Sequence, residues 1–121
     1  MLESSYQSKI IKGIEALGGV VVNGQFSKAG EADLQCGWPK CYSEAYETVL
    51  LHLAVEVKTE KDYHRVMNCI NPDYTLNGNA GLKKHEPLQM AKIKRNRDRG
   101  GLALVAYSFE QVKEYVDAST N

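Results

Sequence analysis

The sequence predicts an α/β domain: a central mixed β-sheet flanked by helices, in the order α-β-β-β-α-β-α. Three observations carry that expectation. Apolar residues recur with helical spacing over the first 17 residues. Runs rich in valine, leucine and alanine then follow: "VVVN", "ADLQC" and "VLLHLAVEVK". A last run, "LALVAY", is apolar throughout and lies between two helical stretches, as in a strand buried on both faces. With 121 residues the chain is expected to form a single domain, 1–121.

The first helix is placed over Leu2–Leu17 and stopped by Gly18-Gly19. On its wheel Leu2, Tyr6, Ile10, Ile11, Ile14 and Leu17 share one half, and Glu3 and Gln7 interrupt them. Surface charges do not normally occupy that arc, so both are expected to point inward. Val20–Asn23 reads as the first strand and "GQFSKAGE" as a turn-rich loop. The second strand is placed at Ala32–Cys36 and the third at Val49–Lys58, with Gly37–Glu47 a connection of unassigned structure. Residues 59–86 include "NPDYTLNGNAG" and read as a mobile loop. Pro87 suits the first turn of a helix running to Arg99, where Gly100-Gly101 stop it. Ser108 with Gln111 resembles a capping box, opening a last helix with Val112, Tyr115 and Val116 on its apolar side.

Composition excludes several classes. The chain is 43% hydrophobic and 25% charged, which is globular rather than disordered. Lys+Arg and Asp+Glu are both 15, so a polyanionic partner must be sought in local charge patterns. No apolar run approaches ~20 residues, and the N-terminus lacks a signal-peptide layout. A soluble, cytoplasmic protein with no membrane partner is expected. An odd set of cysteines, Cys36, Cys41 and Cys69, suits a reducing compartment. "CGWPKC" could hold half of a zinc site completed by His52 or His64, but its spacing is not that of a usual finger. Small apolar cysteines are the preferred reading. His52, His64 and His85 show no spacing to a nucleophile, and neither a Ser/His/Asp grouping nor a phosphate-cradling glycine loop is visible.

The charged residues inside apolar runs need a reason. Strand alternation puts Ala54, Glu56 and Lys58 on one face and Leu53, Val55 and Val57 on the other. Asp33 projects opposite Ala32 and Leu34 on its own strand. If the second and third strands are neighbours, Asp33 and Glu56 meet on one face. Two close carboxylates repel, and a shared proton or a hard divalent cation relieves them. Glu3 and Gln7, pointing inward, would supply a third oxygen. Lys58 stands beside this cluster, placed to stabilise developing negative charge. The grouping suits metal-assisted phosphodiester hydrolysis. A structural carboxylate–lysine ion pair is the bland alternative for each residue alone.

"GEAD" followed by "VEVK" resembles the PD-(D/E)XK nuclease motif, with Asp33 as its aspartate and Glu56-Val57-Lys58 as its E-x-K. The order of features over residues 2 to 116 is similar to the VRR-NUC branch of that superfamily, found in phage-type replication and repair nucleases. Glu3 matches its N-terminal helical glutamate, Gly18-Gly19 its helix end, Gly30 to Asp33 its G-x-x-D, and Gln89 its helical glutamine. The family's usual proline before the aspartate is Ala32 here, and the Asp33–Glu56 spacing and the 59–86 loop are long. The resemblance implies a restriction-endonuclease-like core with Mg²⁺ or Mn²⁺ at Glu3, Asp33, Glu56 and the Val57 carbonyl. It also implies catalytic roles for Asp33, Glu56, Lys58 and Gln89.

In "KIKRNRDR", Lys92, Arg95 and Arg99 are spaced i, i+3, i+7 and make one stripe suited to tracking phosphates. Lys83 and Lys84 lie just before the same helix. A solvated helix face is the alternative for the stripe alone. Gln89, one turn before Ile93, is expected to point toward the sheet. Together these features lead to a divalent-metal-dependent DNA endonuclease. By the resemblance it would be selective for branched DNA such as four-way junctions, and homodimeric, because one site per chain must pair to cut two strands symmetrically. A flap or restriction-type nuclease is the alternative within enzymes, and a catalytically silent DNA-binding module of the same fold is the alternative outside them.

Overall fold

The structure, a computed structural model, describes residues 2–23, 32–42 and 47–120. It is an α/β arrangement of one four-stranded mixed sheet and four helices. In chain order these are α1 (Glu3–Ala16), β1 (Val20–Asn23), β2 (Leu34–Tyr42), β3 (Glu47–Val57), α2 (Glu60–Met67), α3 (Glu86–Asp98), β4 (Leu102–Ala106) and α4 (Phe109–Thr120). The strands lie in the order β1-β2-β3-β4, antiparallel except for the parallel β3–β4 pair.

Each face of the sheet carries its own apolar cluster. On one, Leu34, Cys36 and Trp38 of β2 and Leu53, Val55 and Val57 of β3 pack beneath Ile10 and Ile14 of α1 and Val112 and Val116 of α4. On the other, Ala54, Ala103 and Val105 pack beneath Met90 and Ile93 of α3 and Val66 of α2. A strand covered on both faces is apolar on both, which is why β4 and Leu53–Val55 of β3 show no alternation.

Both glycine pairs stop helices by the same geometry. Gly18 (φ +88°) and Gly100 (φ +85°) take the left-handed conformation that favours glycine. The N–H groups of Gly19 and Gly101 then donate to the Ile14 and Asn96 carbonyls at 3.0 and 2.9 Å, the mark of a Schellman turn. The Ser108–Gln111 box also forms: Gln111 N–H donates to Ser108 Oγ, and Ser108 N–H to Gln111 Oε1, both at 3.2 Å.

Several expectations need correction. The element order gains a helix, α2, inside the stretch read as a mobile loop. Thr59 caps it, accepting the Asp62 N–H at 3.2 Å, and Glu60 and Asp62 place negative charge in its first turn. The rest of that stretch is tied down as well. The Tyr74 hydroxyl accepts the Val105 N–H at 3.0 Å, and Tyr74 itself is buried. On the outer edge of β4, Arg97 lies 4.5 Å from the ring centres of both Tyr74 and Tyr115, and Tyr115 accepts the Ala103 N–H. That sandwich caps the backbone groups an edge strand would otherwise expose. β2 and β3 are longer than expected and form one hairpin, so much of Gly37–Glu47 is strand. Ala32 precedes β2 and joins the α3-side cluster rather than lying opposite Asp33. Leu17, placed on the apolar arc of the first helix, is 44% exposed. The "GQFSKAGE" loop, residues 24–31, Gly30 of G-x-x-D included, lies outside the described residues.

Candidate active site

The candidate site sits at the end of β3 where β2 begins. Leu34 pairs with Val55, so Asp33 comes opposite Glu56, and the backbone locks the two together. Asp33 Oδ2 accepts the Val57 N–H at 3.0 Å, and Glu56 Oε2 accepts the Asp33 N–H at 3.2 Å. From α3, Gln89 Nε2 donates to Glu56 Oε1 at 2.7 Å while its Oε1 accepts from Lys58 Nζ at 3.3 Å. Lys58 Nζ is itself 3.8 Å from Glu56 Oε1. Thus Asp33, Glu56, Lys58 and Gln89, drawn from three segments, form one connected network.

Its electrostatics are those of crowded, partly dried carboxylates. Burial pushes the Glu56 carboxyl up to about 8, the Asp33 charge adds to the rise, and Lys58 opposes it. Burial likewise raises Asp33, while the Val57 N–H and Lys58 pull it down. The pair cannot hold two negative charges cheaply without a proton or a cation. Two carboxylates held by backbone N–H groups could hold Mg²⁺, which keeps several waters and takes one or two protein carboxylates. Among the described residues, no group of three or more His, Cys, Asp and Glu side chains converges as a preformed metal cage.

Glu3 stands exposed at the start of α1, and Gln7, one turn on, is half-buried. Ile10 and Ile14 of the same helix pack on the Leu53/Val55/Val57 face. Glu3 remains electrostatically linked to the site: burial of its carboxyl and then the Asp33 charge raise it, while Lys58 and Lys83 lower it. Val57 belongs to the network through its N–H.

One residue escaped the sequence reading. Glu86, fully buried, accepts from Arg65 Nη1 and Nη2 at 2.7 and 2.9 Å and from the Lys83 N–H at 2.6 Å, and lies 3.1 Å from Lys58 Nζ. The Arg65 fork is the first cause of its carboxyl lying far below the usual range. Glu86 therefore anchors Lys58 from behind while Gln89 holds it toward Glu56. Its signal was present in "HEPLQ": a glutamate one turn before Gln89 on the same helix.

No protein-family model matches this chain, and no curated protein or solved structure matches it either.

Among the basic residues, Lys92, Arg95 and Arg99 line one open groove with Asn96 and Gly101, next to the carboxylates. Lys83 and Lys84 are exposed just before α3. Arg97 and Lys94 are spent elsewhere, on the tyrosine sandwich and on Asp98. The zinc expectation fares poorly where it can be followed. Burial in the core pushes the Cys36 thiol up to about 12, and His52 points to the opposite face, paired with Gln35 at 2.8 Å. The Cys41 side chain lies outside the described residues. Among those residues no helix is long and apolar enough to cross a membrane.

Proposed function

We propose that the protein is a divalent-metal-dependent DNA endonuclease with a restriction-endonuclease-like core, acting as a homodimer on branched DNA. The observation that carries this reading is the network joining Asp33 and Glu56, two mutually repelling carboxylates, to Lys58 and Gln89. A stability-driven design would avoid burying like charges, since an apolar pair in their place costs no desolvation. Asp33, Glu56 and the Val57 carbonyl would hold Mg²⁺ or Mn²⁺, with exposed Glu3 assisting through solvent. When bound, the cation neutralises the scissile phosphate and acidifies water.

The chain's own residues supply the rest. Lys58 directs its ammonium at the site where negative charge develops, and Glu86 fixes the direction of that ammonium. Gln89 ties Lys58 to Glu56, so the ammonium and the carboxylate move together. Lys92, Arg95 and Arg99 seat the strand's phosphates along one groove.

Incubating the protein with supercoiled, flap and four-way DNA, with Mg²⁺, with Mn²⁺ and with chelator, tests the reading. Metal-dependent cleavage strongest on the four-way substrate supports it. Binding to all three with no cleavage under any condition would make the chain a DNA-binding module. Lys58→Ala is expected to lower the cleavage rate by about 10²–10³-fold while metal affinity, read by calorimetry, stays. Lost metal affinity in a folded Lys58→Ala protein would reassign the lysine to organising the carboxylates. Replacing Lys92, Arg95 and Arg99 by glutamine is expected to weaken binding to all DNA alike. The logarithmic salt slope should flatten by about 0.9 for each phosphate the protein no longer neutralises. An unchanged slope returns the stripe to a solvated helix face.

A further inference from the structure

Beside Glu56 the α3 face of the sheet leaves a cavity of about 120 Å³. Its origin lies in the strand register. Gln35 pairs with Ala54, and Ala54 with Ala103, so the row beneath α3 reads Gln-Ala-Ala across three strands. Central strands favour β-branched residues, and a valine at either alanine would take up this space. Ala32, Ala54, Ala103 and Ile93 are all buried and form an apolar floor and wall. The rim is polar. The Gln35–His52 pair closes one side, Glu56 and Gln89 line the active-site side, and Asn96 and Lys92 come from α3.

Size and surroundings narrow the occupant. A cavity of roughly 150 Å³ in another protein takes one benzene ring, so this smaller one takes at most one six-membered ring inserted edge-first through its mouth and leaves no room for a two-ring purine. Lys92 and Asn96 line both this cavity and the neighbouring groove that carries Arg95 and Arg99. A strand whose phosphates follow the groove would bring a base to the cavity mouth.

We propose that the cavity receives one unstacked pyrimidine base from a DNA strand bound along Lys92, Arg95 and Arg99. This inference rests on the DNA reading above and gives that site a means of selecting unpaired nucleotides. A base inside a duplex enters only after unpairing and unstacking, which costs least at mismatches and already single-stranded positions. The apolar floor takes the ring, and the amides of Gln35, Gln89 and Asn96 meet its carbonyl and N–H edges.

Methyl NMR of the metal-free protein tests this, following Ala54 and Ala103 during titration with a thymidylate tetranucleotide or an abasic backbone of equal phosphate count. The alanine methyl signals should move with thymidylate alone, and thymidylate should bind about tenfold more tightly than the abasic strand. Ala54→Leu should reduce thymidylate to the abasic level without changing the salt slope, and Ala103→Val serves the same purpose if the leucine variant fails to fold. Equal affinities, unmoved methyl signals, or a base preference that survives cavity filling would overturn the proposal. No cleavage enters this measurement. Base-specific shifts in a protein that never cuts DNA would therefore sink only the nuclease reading, and cutting with base-independent binding would sink only the cavity's role.

Discussion

Glu86→Ala is expected to destabilise the fold by about 3–5 kcal/mol, the largest stability effect of any single change at the site. The side chain is fully buried and collects a bidentate arginine, a backbone N–H and a lysine. Deleting it leaves Lys58, itself only 7% exposed, with its closest counter-charge gone. The pH dependence has a definite sign. Because the folded carboxyl lies below its ordinary value of 4.5, its stabilisation is fully present above that pH and fades as the solution is acidified. Urea unfolding of wild type and variant at neutral and acid pH measures both effects. A loss under about 1 kcal/mol at neutral pH would mean that the buried ion-pair network is not what holds Lys58.

Glu56→Gln should behave in the opposite way, making the metal-free protein more stable at alkaline pH. The wild-type carboxyl is raised from 4.5 to about 8. Its protonated form therefore contributes stability that is complete below 4.5 and is lost as the pH climbs through about 8. Glutamine keeps the shape and one of the two acceptor oxygens without ever ionising. Thermal melts in chelator should show wild type losing stability between about pH 4.5 and 8 and Glu56→Gln losing less. Added Mg²⁺ or Mn²⁺ should restore the wild-type melt at about pH 8 and leave the variant's unchanged, because a ligand that binds only the native state stabilises it by mass action. Parallel pH curves for the two proteins would show that Glu56 is ionised without strain, as in an ordinary ion pair.

Much of this was legible in the sequence because the signals were local. The two Gly-Gly stops, the Ser108–Gln111 box and the all-apolar "LALVAY" each report on a few neighbouring residues, and each forms as expected. The alternation of Glu56 against Val55 and Val57 placed the carboxylate on the correct side of β3. What failed depended on partners distant in the chain. Helix α2 is short and polar, and its Thr59–Asp62 cap was outweighed by the asparagine- and glycine-rich stretch that follows. Glu3 fell on an apolar arc of the wheel, and in the structure it is exposed while its charge reaches Asp33 and Glu56. Glu86 was invisible as a partner because Arg65 and Lys58 reach it from two other segments.

The most direct measurement compares cleavage of a four-way DNA junction by wild type and Glu56→Gln at equal concentration, with Mg²⁺ or Mn²⁺ and with chelator. Metal-dependent cutting by the wild type and none by the variant is expected, with junction binding by both within about threefold. Cutting by Glu56→Gln at the wild-type rate, or a wild type that binds the junction and never cuts it with either metal, would contradict a metal-dependent nuclease built on Asp33 and Glu56.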